Sequence, residues 1–379
     1  MRLRTLALLF ATVMLRLIIV SALATVSGGN AAAQAGVLVG VAKPGGYETL
    51  WIVRDVSRPL HATIPDLLVP RADGWWRLGT APICPTGGPD DEFMEVLWRA
   101  RADSTPVIAE ICHELPRGEL PLPLYAEDSA ARDSLAKELV RCSWSKIDIK
   151  FVAPEYLALG ERSGQTEECE PRGGRWYQSY YVSRFNGDSS LALPGFVATK
   201  VDSIGRSALA QAAKELAKDE MCTNIVEGFN AEELLEIGAA WYPFRVHGRW
   251  RPVLIEQLGT GDCQLLPVLD VTLVSTLTGH DSLRPSWATF AKQVKGLDDA
   301  FTSPRGDLVI VRSGDSLLVH LGTGEQLGKR VGAIPFTQRE IVMVQWATGR
   351  NVTRWNEEIA AMMRRGLAGP KVVSPPKEP

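Results

Sequence analysis

The chain has 379 residues, 45% of them hydrophobic with eleven tryptophans, and sets 41 Lys and Arg against 44 Asp and Glu for a formal charge of −3. That apolar content suffices for a core and excludes a disordered chain. A charge balance without a basic stripe leaves nothing to neutralise phosphates, so nucleic acid is not expected as a partner.

The first 35 residues hold Arg2, Arg4 and Arg16, no acid, a long apolar run and the ending Ala33-Gln34-Ala35. This is the layout of a cleavable secretory signal and puts the mature N-terminus at Gly36. Arg16 interrupts the apolar core, where a charge opposes insertion. Translation from Met14 rather than Met1 restores the usual order: Met14-Leu15-Arg16 as the basic head, Leu17 to Val26 as the apolar core, Ser27 to Ala35 as the cleavage region. The alternative, an uncleaved membrane anchor, is opposed by the internal charge and the small-residue ending. Cleavage leaves 344 residues at a formal charge of −6. The expected product is periplasmic or extracellular, with no stable membrane insertion.

Six cysteines follow: Cys84, Cys112, Cys142, Cys169, Cys222 and Cys263. An even number in an exported chain predicts three disulfides, although sequence does not choose among the possible connectivities. Pairing of neighbours is the expectation: Cys84 with Cys112, Cys142 with Cys169, Cys222 with Cys263. None sits in a CxxC pair, which argues against zinc and against thioredoxin-like redox chemistry.

Residues 37–41 and 47–54 are apolar runs bracketing Lys43-Pro44-Gly45-Gly46, a hairpin pattern. Residues 67–71 and 75–79 repeat it across Ala72-Asp73-Gly74, with Pro70 marking an edge. Asp90-Asp91-Glu92 before Phe93, Val96, Leu97 and Ala100 reads as a short helix. Residues 114–127, with three prolines, read as an extended connection, and Ser129 as the cap of a helix running to Cys142. A strand region at 147–159 is broken by Pro154, a polar loop follows at 160–174, and 177–185 is another strand.

Composition changes at Ser203. Residues 208–217 make the best helix in the chain, and Asn230 with Glu233 caps a second to Ile237. A hairpin over His247-Gly248 joins 240–247 to 249–258, strand pattern resumes at 265–277, and Ser286 caps a helix with Trp287, Phe290 and Val294. An array of hairpins over 299–347 is the most legible stretch: Leu308 to Val311, Leu317 to Leu321, Gln326 to Val331 and Ile341 to Trp346. Both alternating sets of Leu308 to Val311 are apolar, so packing is expected on both faces. Thr353 opens a terminal helix stopped by Gly366. The expected organisation is a signal at 1–35, a β-rich part with two short helices at 36–200, an α+β part at 201–369, and a disordered tail at 370–379.

Ala300-Phe301-Thr302-Ser303-Pro304-Arg305-Gly306-Asp307-Leu308 resembles the Phe-Ser-Pro-Asp-Gly opening of a blade in secreted β-propellers of the TolB-like kind, with Arg305 where an acid is usual. The resemblance covers about thirty residues and implies a propeller. Short turns between most strands favour a different primary reading: α+β, dominated by antiparallel hairpins with peripheral helices. An irregular propeller-like arrangement is the alternative.

Chemistry is sparse. There is no G-x-S-x-G elbow, no H-E-x-x-H and no calcium loop, so no cofactor or metal is expected. Asn186-Gly187-Asp188 is explained by turn formation, and Asn351-Val352-Thr353 is a bare glycosylation sequon. His61, His113, His247, His280 and His320 lack spaced partners. His320 in particular is expected to point outward from Leu317, Val319 and Leu321. Trp75-Trp76 and Trp241-Tyr242 suggest a glycan or peptide groove, with only one ring of each pair facing it, because neighbours on a strand point to opposite faces. The expected function is a non-enzymatic binding or interaction protein of the cell envelope, its partner a protein, glycan or peptide. A secreted hydrolase is the alternative, centred on His280, Asp281, Asp298 and Asp299, which flank one helix.

Overall fold

The protein is described here from a computed structural model covering residues 35–53, 60–85, 93–109, 143–165, 176–186, 191–197, 201–218, 222, 240–257, 264–337, 339–367 and 371–373. In chain order the strands begin with β1 (Ala35–Lys43), β2 (Gly46–Val53), β3 (Leu60–Pro65), β4 (Leu67–Arg71), β5 (Gly74–Pro85), β6 (Phe93–Arg101) and β7 (Val107–Ala109). Next come β8 (Ser143–Val152), β9 (Tyr156–Gln165), β10 (Trp176–Arg184), helix α1 (Val201–Leu216), β11 (Ala240–Val246), β12 (Arg249–Gln257) and β13 (Gln264–Leu265). The remainder is α2 (Ser275–Thr278), α3 (Trp287–Gln293), β14 (Leu297–Thr302), β15 (Leu308–Ser313), β16 (Ser316–Gly322), β17 (Leu327–Pro335), β18 (Glu340–Thr348), α4 (Arg350–Arg365) and β19 (Lys371–Val373).

These strands make a β-dominated molecule of small sheets. Their orders are β18-β1-β2-β3, β10-β9-β8-β6-β5-β4, β11-β12-β13 and β14-β15-β16-β17, with a parallel pair β19-β7. Among the described residues they close neither a barrel nor a propeller. The hairpin expected at residues 67–79 forms, with Gly74 paired to Arg71 across a turn at Ala72-Asp73 and Pro70 opposite Trp75, and β4 is an edge strand that needs no donor from Pro70. At the turn of β11 and β12, His247 and Gly248 both take positive φ, the geometry of a two-residue hairpin turn.

β18 departs from the hairpin array expected around it. It pairs antiparallel with β1, Ala35 opposite Thr348, so the first and last long strands share a sheet. The array is instead completed by β14, which pairs with β15. β15 is buried on both faces, as its sequence requires. Leu308 and Ile310 enter the main core with Phe301, Leu317 and Val319, while Val309 and Val311 pack with Phe290 of α3 and Ala300.

Several local expectations are overturned. Residues 93–101 are strand β6, because pairing with β5 and burial of Trp98 outweigh a helical spacing that a half-apolar strand also satisfies. Gly160 to Gln165 belong to β9 rather than to a loop, and Gly160 is small because the ring of Tyr180 lies across it: an added Cβ would come within 2.7 Å of Tyr180 Cε1. In 265–277 only Leu265 is in a ladder; single bridges at Val268 and Leu273 and the short α2 replace the expected strand. His320 is buried rather than open, its Nδ1 at 3.0 Å from the Gly328 carbonyl of the neighbouring β17, at the point where the β16–β17 ladder shifts register. The terminal helix starts at Arg350 behind Gly349, before Thr353, and ends as expected at Gly366. Lys371–Val373, placed by sequence in an unstructured tail, add β19 to β7.

The expected helices at 129–142 and 230–237 and the connection at 114–127 lie outside the described residues, as do His113 and the side chains of Cys84, Cys112, Cys142, Cys169 and Cys263. Cys222 is buried in the main core.

Candidate functional site

α4 forms one wall of a groove among the described residues. Val352, Trp355, Ile359 and Met362 recur at helical spacing and are buried, with the helix packed against β2, β5 and β18. Trp355 lies between two strand tryptophans, 5.8 Å from the ring of Trp51 and 5.3 Å, edge-on, from that of Trp75. Two side chains of the next helical turn secure this packing. Trp51 Nε1 donates to Asn356 Oδ1 at 3.3 Å, and Trp75 Nε1 donates to Glu358 Oε2 at 2.7 Å. Basic Arg364 and Arg365 occupy the last turn, where the helix dipole favours them.

Between this helix and the ends of β5 and β6 lies a cavity of about 270 Å³. Trp75, Arg101, Asp103, Glu358, Met362 and Arg365 are among the residues that line it. A second lobe of about 120 Å³ shares Asp103, Met362 and Arg365 and extends toward Leu367. Gly74 shapes the rim: its φ is 122° and the Arg101 guanidinium crosses where a Cβ would sit. Arg101 is held by the Asp73 carbonyl and carboxylate and lies over Trp76, while Glu358 is held by Trp75. Asp103 and Arg365 have no hydrogen bond or ion pair among the described residues. Trp75 lines the groove; Trp76 stacks edge-on against Phe185 instead. In the second aromatic pair Trp241 is core, its Nε1 donating to the Leu191 carbonyl, and Tyr242 stacks on Tyr180 at 5.3 Å.

The four residues around α3 that sequence offers for hydrolysis are only partly brought together. Asp281 and Asp299 converge, on a residue that sequence did not single out: Arg245. Its Nε donates to Asp299 Oδ2 at 2.6 Å and its Nη2 to Asp299 Oδ1 at 3.3 Å and to the Ala300 carbonyl at 2.9 Å. Nη1 reaches Asp281 Oδ1 at 3.5 Å, and the rings of Trp250 and Phe301 flank the guanidinium. The carboxylates have further duties. Asp299 accepts from the Gly248 amide at 3.0 Å and Asp281 from the Trp250 amide at 2.7 Å, so both pin the β11–β12 hairpin. Burial pushes Asp281 up to about 6 against the pull of Arg245.

Asp298 turns away and accepts from the Gly314 amide at 2.8 Å. His280 is half-buried against the Thr302 and Ser303 backbone, burial lowers its pKa, and its Nε2 is buried with no partner among the described residues. Arg245 escaped notice in the sequence because an arginine on a strand pairs with acids 36 and 54 residues away that no spacing rule connects to it.

Among the described residues no group of three His, Cys, Asp or Glu could hold a metal ion, and no helix is long and apolar enough to cross a membrane. No protein-family model, curated protein or solved structure matches the chain.

Proposed function

We propose that this chain is a non-enzymatic binding protein of the cell envelope, exported by its first 35 residues, and that its partner meets the groove beside α4. One observation carries the reading: the groove combines a cavity, an indole and two unpartnered charges of opposite sign. The convergent ionisable cluster elsewhere is internally satisfied. A hydrolase would need one of its carboxylates free to act on a substrate, and Asp281 and Asp299 are both spoken for by Arg245 and by backbone amides.

The test is hydrogen-exchange mass spectrometry of the protein with and without a solubilised cell-envelope extract. Added protection is expected over residues 101–105 and 358–367. Protection confined to 279–302 would move the site to the Arg245 cluster and revive the hydrolase.

A further inference from the structure

We infer that the groove beside α4 accommodates one neutral sugar ring of a glycan, an inference that rests on the binding reading above. Size sets the first limit. A main cavity of about 270 Å³ with a side lobe of about 120 Å³ is small beside ligand sites of about 300–1,000 Å³, so it suits a single ring better than a long ligand.

The walls set the second. They come from the turn and first residues of β5, the end of β6 with the residues after it, and α4. Strand β5 is paired on both sides, by β4 and β6, and the helix satisfies its own backbone. The edge strand β4 does not line the cavity. Neither β5 nor the helix therefore offers an extended peptide a free edge for main-chain hydrogen bonds.

The side chains present match a sugar better. Trp75 is an indole fixed from behind by Trp355 and by its bond to Glu358, and a sugar's C–H surface packs on such an apolar ring. Asp103 can only accept hydrogen bonds and Arg365 can only donate them, whereas each sugar hydroxyl does both. Adjacent hydroxyls can therefore donate to Asp103 and accept from Arg365, the two charged groups shared by both lobes. Formal charge points to a neutral ring. A carboxylated ligand would meet Asp103 and Glu358, and an amino sugar would meet Arg101 and Arg365.

The experiment titrates the mature protein with the methyl glycosides of glucose, galactose, mannose and N-acetylglucosamine, and with glucuronate and glucosamine as charged controls, reading saturation-transfer NMR and tryptophan fluorescence. At least one neutral glycoside is expected to bind with a Kd of about a millimolar or tighter, ahead of both controls. Asp103→Asn and Arg365→Gln, both on exposed residues, are each expected to weaken it about tenfold. Trp75→Ala is expected to do the same, with Trp75→Phe retaining binding and a thermal melt confirming the fold. Binding unchanged in Asp103→Asn and Arg365→Gln overturns the inference, as does preference for a charged control. If no glycoside binds while an envelope extract still protects residues 101–105 and 358–367, the sugar is wrong and the binding groove stands; if that protection is absent too, both fall.

Discussion

Trp75 donates its indole N–H to Glu358 at 2.7 Å, and this one bond joins the sheet wall of the groove to its helix wall. Because Trp355 is wedged between Trp75 and Trp51, the groove is held open by the packing that anchors the terminal helix. Trp355→Ala is therefore expected to cost about 3–5 kcal/mol, as for other large-to-small changes of a buried ring. Glu358→Gln, which keeps an acceptor for the indole, is expected to cost less than about 1 kcal/mol. Urea denaturation checks both. A Trp355→Ala change within about 0.5 kcal/mol of wild type would show that α4 is not anchored there.

The two acids on Arg245 are expected to behave differently. Asp299 receives two guanidinium nitrogens and the Gly248 amide, so Asp299→Asn leaves a buried cation short of its main counter-charge; a loss of about 3–5 kcal/mol at pH 7 is expected. Asp281→Asn preserves the acceptor for Trp250 N–H and leaves Asp299 on Arg245, so its loss is expected to be about 1 kcal/mol or less. Thermal melts of both variants give the ranking, and an equal loss would contradict it.

Asp281 also predicts a pH dependence of unusual sign. Its pKa rises from the ordinary 3.8 to about 6 on folding, so between those values the folded state holds a proton that the unfolded state has released. The contribution of this group to stability is full below pH 3.8 and is lost as pH rises through 6, a swing on the order of 2–3 kcal/mol. Asp281→Asn cannot titrate. Its stability relative to wild type is expected to improve from pH 4 to pH 7, read as the difference in Tm at each pH. A difference that is flat, or that runs the other way, would remove the burial argument.

Export and oxidation are expected together. Non-reducing peptide mapping of protein recovered from the periplasm or medium is expected to give Gly36 as the N-terminus and three bridges: Cys84 to Cys112, Cys142 to Cys169 and Cys222 to Cys263. Each bridge is expected to contribute about 2–4 kcal/mol. Recovery of six free thiols, or of an uncleaved chain starting at Met1, would count against the signal and its Met14 start.

Local signals with one reading were legible in the sequence. Alternating apolar residues around Asp73-Gly74, His247-Gly248 and Ser313-Gly314 gave their hairpins, and the two apolar sets of Leu308 to Val311 gave a strand buried on both faces. Pairing between distant strands was not legible. Nothing local tells Ile341 to Trp346 to cross to β1, and the 93–101 segment becomes a strand only because β5 is beside it. The site divides the same way. Trp75 was visible as a candidate aromatic, whereas Arg101 and Asp103 reach it through the pairing of β5 with β6, and Glu358 and Arg365 through α4, which packs on Trp51 far upstream. Asp281 and Asp299 were visible, but the cation that neutralises them was not.

Site-directed photocrosslinking weighs the groove against the Arg245 cluster most directly. A photoreactive residue placed at Thr105, exposed on the second lobe of the groove, and another at His247, on the exposed turn above the cluster, would be irradiated in intact cells. An envelope-component adduct from position 105, lost when Arg365 is also changed to Gln, and none from position 247 is the result expected. The same adduct from position 247 with none from position 105 would contradict the groove as the functional surface.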